Sequence, residues 1–400
     1  MAKSAKTAAA GSQKLYANLI EPSRRPPNPP PVDALFPHPR RRSSQETGMT
    51  RMIATAAALA VAMIAPAQAA TVYNTLSGEA PLVIAHRGAS GHLPEHTLAA
   101  YELAIKMGAQ VVEPDLQLTA DGVLVAIHDP TLTRSTNVAD LFGPRNGGYR
   151  VADFTLAEIK SLTALPTRTA STSYPDYTPS MADPFKVPTF QEVMDLVKAH
   201  NAATGAQIGI YPESKTPNRF SLNAKIVEEM KANGFDGSVP NTFIQTFSHE
   251  GAQQLAVMQD LLGMTNGIAA LGYVLKTGDG YGVYDATTGT ISSLDHLAGF
   301  ATGLGVNLGY DLDAGFIAAA HALGLAVHGW TFRPTTLEAA EDQFLPWIAA
   351  GMDGFFTDYP DLAVAVLDGL NPAPVPLPAG LPLLAAGLGA LVVVRRRARA

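Results

Sequence analysis

The sequence contains no cysteine among its 400 residues. A miniprotein held together by disulfides is therefore excluded, and the chain is long enough to bury a full-size hydrophobic core. The absence of cysteine is compatible with export but does not establish it.

Charged residues are also scarce, at 16% of the chain, whereas 47% of the residues are hydrophobic. This composition excludes an intrinsically disordered chain, which would be rich in charge and poor in aliphatic side chains. The formal net charge of −7 is unevenly spread: residues 1–48 carry +5, residues 49–69 carry +1 and residues 380–400 carry +4. Residues 70–379 therefore carry −17, from 15 basic and 32 acidic residues. An acidic body argues against a nucleic-acid-binding protein, which needs a basic face.

The amino-terminal part lacks the roughly 20 consecutive apolar residues of an ordinary transmembrane helix. Residues 49–69 instead combine a basic start, a short apolar stretch and an Ala-x-Ala site, which is typical of a secretory signal peptide cleaved after Ala69. A buried core helix is the alternative. Residues 1–48 have no apolar periodicity, so we expect them to be disordered, or mis-annotated if translation begins at Met49. The signal predicts export to the periplasm or the cell envelope.

The carboxyl-terminal residues 375–400 form a second address. Residues 375–379 read Val-Pro-Leu-Pro-Ala, and an apolar run over residues 380–394 precedes Arg395 and further arginines. This order predicts insertion into the inner membrane with the arginines on the cytoplasmic side. It resembles the VPLPA-type sorting signals of bacteria, relatives of the PEP-type tails that exosortases process. The resemblance implies envelope anchoring and an exosortase-type processing enzyme as partner; an ordinary anchor helix is the alternative.

The body of the chain alternates strand and helix signals and shows no internal repeat. Alternation of this kind produces parallel sheets, and roughly eight units predict a TIM (β/α)8 barrel over residues 82–368, with a doubly wound open sheet as the alternative. Residues 130–188 are rich in Thr, Ser, Pro and Tyr and predict a small inserted subdomain. Strands are expected at 82–85, 110–118, 123–127, 208–211, 242–246, 271–275, 305–308, 326–331 and 354–357, and helices at 97–107, 155–162, 189–200, 222–233, 250–261, 316–323 and 335–350.

Chemically active side chains accompany several of these strands. They are His86 and Arg87 after the first strand, Glu113 and Asp115 on one face of the second, His128 and Asp129 after the third, and Glu213 and Lys215 after a fourth. Active sites of α/β barrels lie at the carboxyl ends of the strands, so we expect these side chains to meet at one rim.

The residue types at this rim indicate a particular chemistry. Three carboxylates without a cysteine favour a hard cation, Ca²⁺ or Mg²⁺. Arg87 and Lys215 favour an anion beside the cation, and phosphate fits. Two imidazoles can serve as general base and general acid. Each feature alone is more often structural, but their joint occurrence predicts a phosphodiester hydrolase.

The order of the motifs along residues 82–368 is more specific than any one motif. Residues 83–91 read Val-Ile-Ala-His-Arg-Gly-Ala-Ser-Gly, residues 93–97 read Leu-Pro-Glu-His-Thr, and residues 356–361 read Phe-Thr-Asp-Tyr-Pro-Asp. With the motifs between them, they resemble the periplasmic bacterial glycerophosphodiester phosphodiesterases. The resemblance implies a TIM barrel with an insertion that hydrolyses glycerophosphodiesters, such as glycerophosphocholine or glycerophosphoethanolamine, to sn-glycerol 3-phosphate and an alcohol.

The resemblance also implies roles for individual residues. These are catalysis for His86 and His128, binding of a divalent cation for Glu113, Asp115 and Glu213, substrate binding for Arg87, Lys215, Trp330 and Gln245, and support of the site for Glu95 and Asp129. In the periplasmic branch the cation is Ca²⁺, and Mg²⁺ is the alternative. His96 stands where many relatives carry asparagine, and we interpret it as a supporting residue. The segment 328–333 matches loosely, so the roles of His328 and Arg333 stay open.

Two other functions are compatible with the same barrel. One is a phospholipase D-like enzyme that cleaves lysolipids, and the other is a surface-displayed binding protein that has lost catalysis. An amidohydrolase would need a second histidine where Gly88 stands, and a glycosidase would not need the phosphate-binding cations. The alcohol head group and the oligomeric state are not indicated by the sequence.

Overall fold

The computed structural model describes residues 73–167, 171–215, 219–278 and 280–370. These residues lie in one unit that spans residues 67–376. The predicted leader (1–48), signal peptide (49–69) and carboxyl-terminal segment (375–400) lie outside the described residues. Within the described ranges, no helix is both long and apolar enough to span a bilayer.

In these ranges the chain forms alternating strands and helices, as the sequence predicts. The strands are β1 (Leu82–His86), β2 (Val111–Glu113), β3 (Asp115–Leu118), β4 (Leu124–Ala126), β5 (Gly209–Ile210), β6 (Glu213–Ser214), β7 (Phe243–Thr246), β8 (Gly267–Thr277), β9 (Gly280–Asp285), β10 (Thr290–Ser293), β11 (Gly303–Asn307), β12 (Ala326–Phe332) and β13 (Gly354–Thr357). The α-helices are α1 (Leu98–Lys106), α2 (Val138–Leu141), α3 (Leu156–Ser161), α4 (Phe190–Thr204), α5 (Phe220–Ala232), α6 (His249–Leu262), α7 (Leu294–Ala298), α8 (Ala314–Ala322), α9 (Leu337–Ala350) and α10 (Pro360–Leu370).

Parallel strands close into a ring with eight positions. Two positions are each occupied by a strand that proline divides, because proline has no N–H to donate to the ladder: Pro114 separates β2 from β3, and Pro212 lies between β5 and β6. Strand β2 pairs with β5 and β3 pairs with β6, so the interruptions lie side by side. The ring continues through β7, β8, β11, β12 and β13, and β13 pairs with β1, which pairs with β2. The predicted TIM barrel is confirmed.

Helix boundaries follow the capping residues of the sequence. The Thr189 hydroxyl accepts a hydrogen bond from the Glu192 N–H, the Glu192 carboxylate caps in return, and α4 ends at Gly205 in the left-handed region. Thr155 begins α3 with the same capping box, together with Glu158. These two helices confirm the starts expected from the sequence.

The third predicted strand forms as β4, but the parallel place in the barrel expected from the strand–helix alternation is wrong for it. Strand β4 pairs antiparallel with β3, so it returns along the neighbouring strand instead of adding a new position to the ring. The cause is local: Asp121-Gly122 forms a tight turn in which Gly122 has a φ of +78°. His128 follows this returning strand and therefore reaches the rim from outside the barrel.

Residues between β4 and α4 leave the barrel as the predicted inserted subdomain and build a small core of their own. Its buried side chains come from β4, α2, α3 and the loops that join them, and the ring of Phe142 packs edge-on against Phe154. The core residues are Val125, Ile127, Leu132, Val138, Val151, Phe154, Ile159, Leu162 and Val187.

The interior of the barrel is filled by aromatic and aliphatic side chains below the rim. Tyr211 stacks on Phe243 and contacts Phe356, and its hydroxyl lies 3.0 Å from Nδ1 of His328. This packed floor closes the barrel from below, and the charged side chains of the candidate site lie above it at the carboxyl-terminal rim.

Candidate active site

Three buried carboxylates come together at the rim, from Glu113 at the end of β2, Asp115 at the start of β3 and Glu213 at the start of β6. One oxygen from each lies within 4.8 Å of the others. Strand register explains why these carboxylates meet, because Asp115 lies directly opposite Glu213. Glu113 and Asp115 are two residues apart, so their side chains lie on the same side and that of Pro114 on the other. The three residues predicted to bind a cation therefore form one cluster.

Burial disfavours the charged form of these carboxylates, and repulsion between them adds to the effect. Burial, together with the charges of Asp115 and Glu213, raises the pKa of Glu113 well above its usual range. Burial also raises the pKa of Glu213, to about 8, against the opposing charge of Lys215. Burial would raise the pKa of Asp115 as well, but Lys215 and His96 hold it well below its usual range.

The donor set fits a hard divalent cation. All three ligands are carboxylates, and a cation among them would keep all three ionised. Gln245 lies opposite Glu213 on β7, and its amide Nε2 donates to Glu113 Oε1 at 3.1 Å. The other side-chain atom, Gln245 Oε1, is buried and has no hydrogen-bond partner among the described residues, so one more oxygen is present beside the cluster.

Arg87, which is buried, and Lys215, which is partly exposed, border the carboxylates. Lys215 Nζ lies 2.9 Å from Glu213 Oε1 and 3.7 Å from Asp115 Oδ1. Arg87 Nη1 donates to Glu95 Oε1 at 3.2 Å, and Arg87 Nε lies 3.3 Å from Asp115 Oδ2. Both cations face the same cavity, so they can meet an anionic substrate there.

A tight turn after β1 places the Arg87 side chain. Arg87 has a φ of +62° and Gly88 a φ of +83°, and the Arg87 N–H donates to Glu113 Oε2 at 2.8 Å. A Cβ on Gly88 would lie 2.7 Å from the Ala100 carbonyl carbon, so only glycine fits. The backbone geometry of this turn therefore requires the glycine of the His-Arg-Gly sequence, while the histidine and the arginine provide its chemistry.

His86 lines the cavity from the end of β1, and its Nδ1 lies 2.6 Å from Asp358 Oδ1. Asp358 follows β13, and its other oxygen accepts a hydrogen bond from Arg333 Nε at 2.8 Å. Burial, followed by the charge of Arg87, lowers the pKa of His86 to about 4, although Asp358 opposes the shift. The imidazole is therefore neutral near pH 7, with Nε2 left to accept a proton.

His128 also lines the cavity and is held in the same manner. Its Nδ1 lies 2.6 Å from Asp129 Oδ1, and Asp129 Oδ2 accepts a hydrogen bond from Arg134 Nε at 2.6 Å. Burial lowers the pKa of His128 to about 4, and the charge of Lys215 adds to the shift. The His128 side chain is 33% exposed, against 10% for His86, so it lies closer to solvent.

Two predicted supporting residues lie behind the cavity. The Glu95 carboxylate accepts hydrogen bonds from Arg87, Arg134 and the Thr167 hydroxyl. His96 Nε2 lies 2.8 Å from Asp115 Oδ2, and its Nδ1 lies 2.7 Å from the Tyr101 hydroxyl. Both side chains fix a charged residue of the site without reaching the cavity themselves.

The cavity has a volume of about 170 Å³ and a polar and an aromatic side. Trp330 and Phe247 meet edge-on at 5.5 Å on the aromatic side, and the Trp330 Nε1 is buried without a hydrogen-bond partner among the described residues. An apolar wall with one N–H donor suits a small polyol. Most of the residues predicted from the sequence line this cavity: His86, Arg87, Glu113, His128, Glu213, Lys215, Gln245 and Trp330.

The sequence analysis assigned no role to Asp358, Arg134 or Arg333. Asp358 carried a usable signal, since an acid directly after the last strand belongs at the same rim as His86. Arg134 gave no such signal, because it lies in the insertion and no strand precedes it. Arg333, whose role the sequence left open, lines the cavity.

Comparison with known families gives one match for most of the described chain. Residues 86–362 match the family model described as the Glycerophosphoryl diester phosphodiesterase family. A glycerophosphodiester phosphodiesterase of Bacillus subtilis is 32% identical over 304 residues, which cover 75% of this chain and 91% of the relative. A glycerophosphodiester phosphodiesterase of Haemophilus influenzae is 37% identical over 187 residues, which cover 44% of this chain and 51% of the relative.

Solved structures share the fold at lower identity. A putative glycerophosphoryl diester phosphodiesterase from Silicibacter pomeroyi has a TM-score of 0.57 at 22% identity, covering 75% of this chain and 98% of its own. An Oleispira antarctica phosphodiesterase, solved in complex with the product sn-glycerol-3-phosphate, has a TM-score of 0.52 at 23% identity, covering 74% of this chain and 99% of its own. At this identity the likeness concerns the barrel fold.

Proposed function

Since this chain belongs to the glycerophosphoryl diester phosphodiesterase family, and is a hydrolase of that family, we propose that it hydrolyses glycerophosphodiesters to sn-glycerol 3-phosphate and an alcohol. Glycerophosphocholine and glycerophosphoethanolamine are the proposed substrates. One observation carries the proposal: two histidines, each held at Nδ1 by an aspartate, face one cavity that is also lined by two cations and by two of the three clustered carboxylates.

Arg87 and Lys215 bind the phosphodiester in this proposal. Their charges are partly committed to Glu95, Asp115 and Glu213, so the cations are fixed in place before the substrate arrives. Fixed donors stabilise the charge that develops on the phosphoryl oxygens without having to reorganise.

His86 is the general base and His128 the general acid. His86 is the more buried imidazole and its pKa of about 4 keeps it neutral, so Nε2 can take the proton of the attacking oxygen, from water or from the glycerol 2-hydroxyl. The alcohol is the variable part of the substrate and leaves toward solvent, next to the more exposed His128. Because burial lowers the pKa of His128 to about 4, this imidazole acts as the acid only after it has taken up a proton, and the negative charge of a bound phosphodiester would favour that protonated form.

The glycerol moiety lies on the aromatic side of the cavity. Trp330 offers an apolar face and a buried N–H, and Gln245 lies nearby with an unpaired oxygen among the described residues. The Oleispira antarctica phosphodiesterase was solved in complex with the product sn-glycerol-3-phosphate, which is also the product proposed here. Substrate binding would give hydrogen-bond partners to Trp330 Nε1 and Gln245 Oε1, which have none among the described residues.

Glu113, Asp115 and Glu213 are the proposed ligands of a divalent cation, Ca²⁺ in preference to Mg²⁺. The all-carboxylate donor set supports a hard cation, and the bound cation would supply positive charge beside the phosphate. The same charge would lower the raised pKa of Glu113 and of Glu213.

Removal of the cation tests this proposal. We expect EDTA to abolish release of sn-glycerol 3-phosphate from glycerophosphocholine, and Ca²⁺ to restore it better than Mg²⁺. Calorimetric titration of the EDTA-treated protein with Ca²⁺ should give one site, and Glu213→Gln should weaken binding by about 10-fold or more. Glu250→Gln, an acid on α6 that does not line the cavity, is the control and should bind as the wild type does. Full activity in EDTA would contradict the proposal.

A further inference from the structure

We propose that Arg134, a residue of the insertion, is a positioning residue. It fixes the side chain of the general acid His128 relative to that of the phosphate-binding Arg87. The inference rests on the proposed function and assigns a task to the insertion. It starts from the way His128 enters the site. His128 follows the antiparallel strand β4, outside the barrel ring, so the barrel ladder does not fix its side chain.

Arg134 commits its whole guanidinium group to two carboxylates. Nη2 donates to Glu95 Oε1 at 2.6 Å and Nη1 donates to Glu95 Oε2 at 3.0 Å, which is the bidentate geometry of a strong charge-assisted pair. Nε donates to Asp129 Oδ2 at 2.6 Å. Because the guanidinium group is planar and makes three hydrogen bonds, it is held in one orientation. Arg134 therefore sets the position of both carboxylates.

Both carboxylates in turn hold a residue that faces the cavity. Asp129 holds Nδ1 of His128 at 2.6 Å, and Glu95 accepts from Arg87 Nη1 at 3.2 Å. Glu95 is almost fully buried, so its contacts with the two arginines are shielded from solvent. A continuous path of ion pairs therefore runs from His128 through Arg134 to the residue that binds the phosphate.

Comparison with His86 shows why only His128 needs these side-chain contacts for its position. His86 and its partner Asp358 come from neighbouring strands of the ring, since β1 pairs with β13. Arg333 contacts Asp358 through Nε, and its side chain is 44% exposed. The barrel therefore positions His86, whereas side-chain contacts from the insertion position His128. A displacement of about 1 Å in a catalytic group can cost about 10²-fold in rate.

The test separates proton donation from folding by changing the leaving group. The choline oxygen needs a proton as the P–O bond breaks, whereas nitrophenolate from the 4-nitrophenyl diester of glycerol phosphate leaves without one. We expect Arg134→Met to lower kcat for glycerophosphocholine by about 10²-fold and for the nitrophenyl diester by less than about 5-fold. Arg134→Lys keeps the charge but not the fork, and its loss should be intermediate.

A matched control lies in the same insertion. Arg145 has a side-chain exposure of 37%, close to the 36% of Arg134, and like Arg134 it does not line the cavity. Its carboxylate partner is Glu158, whereas Arg134 pairs with Glu95 and Asp129. Arg145→Met should therefore leave both rates within about 3-fold of wild type while losing a comparable ion pair.

Three results would overturn the proposal, and a fourth would overturn the proposed function. Equal losses with both diesters would show a role other than aiding proton donation. Unchanged rates in Arg134→Met would show that His128 needs no such support. Should Arg134→Met fail to fold, an Arg134→Lys protein with equal losses on both substrates would have the same consequence. A wild type that cleaves neither diester would overturn the proposed function itself, which distinguishes that failure from failure of the inference.

Discussion

At the scale of single residues, the site repeats one arrangement twice. Each histidine is held at Nδ1 by an aspartate, and the second oxygen of each aspartate accepts from the Nε of an arginine. An aspartate in this position fixes the tautomer, so that Nε2 rather than Nδ1 faces the substrate. The two copies differ in exposure, and the proposed roles of His86 as base and His128 as acid rest on this difference.

The Asp358→Asn variant tests the arrangement in which Asp358 holds His86. The amide preserves the shape of the side chain but can present an N–H to His86 Nδ1, which favours the wrong tautomer, so we expect kcat to fall by about 10²-fold with little change in KM. Steady-state kinetics on glycerophosphocholine measures the effect. Asp361→Asn is the matched control, because Asp361 pairs with His92 at 2.9 Å outside the cavity, and its kcat should stay normal. Equal kcat values for the two variants would refute the role of Asp358.

The sequence predicted the individual residues of the site more completely than their partners. Glu113, Asp115 and Glu213 could be grouped in advance, because acids next to buried strands must share the rim of a barrel. Arg134 could not be placed, because its contact with Glu95 joins residues 39 positions apart through a loop with no strand or helix period. Side-chain pairs of this kind depend on the packing of the insertion, which no local pattern encodes.

At the scale of strands and helices, prolines and turns account for most departures from the expected pattern. A continuous strand over 110–118 is divided at Pro114, and the strand over 123–127 turns back at Gly122. The β9–β10 hairpin was not predicted either, because β8 continues beyond the rim as an extension that β9 pairs with antiparallel. Helices with threonine caps were predicted within a few residues, since capping and periodicity are local signals.

Strand β12 carries a prediction about stability. His328 lies in the barrel floor, and burial lowers its pKa to about 4, against the opposing charge of Asp353. Unfolded histidine has a pKa near 6.5, so between about pH 6.5 and pH 4 the unfolded chain binds a proton that the fold excludes. The free energy of unfolding therefore falls as the pH is lowered through this window, by about 2 kcal/mol between pH 7 and pH 5 for this residue.

His328→Phe removes the titrating group and keeps a ring of similar shape against Tyr211 and Phe243. Urea unfolding at pH 7 and pH 5 should show that the variant loses about 2 kcal/mol less than the wild type over this interval. The variant should be less stable at pH 7, because the Tyr211 hydroxyl loses its partner, so the difference between the two pH values is the relevant quantity. Identical pH dependence in both proteins would contradict the assignment.

At the scale of the whole molecule, the net charge of the body has the same sign as the proposed substrate. Residues 70–379 carry a formal charge of −17, yet the proposed substrate is a phosphodiester anion. The long-range field of such a body disfavours an anion, so binding depends on groups at contact distance. Arg87 and Lys215 provide this local positive charge inside a ring of buried carboxylates, and a divalent cation would add to it.

The proposed activity is tested most directly by turnover of glycerophosphocholine in the wild type and in two variants, His86→Ala and His128→Ala. The wild type should release sn-glycerol 3-phosphate and choline in equal amounts, and each variant should lose about 10²–10⁴-fold in kcat, the usual contribution of a positioned base or acid. Each variant should still bind Ca²⁺, because neither histidine belongs to the carboxylate cluster. Near-normal turnover in either variant, or cleavage of lysolipids without cleavage of glycerophosphocholine, would contradict this account of the site.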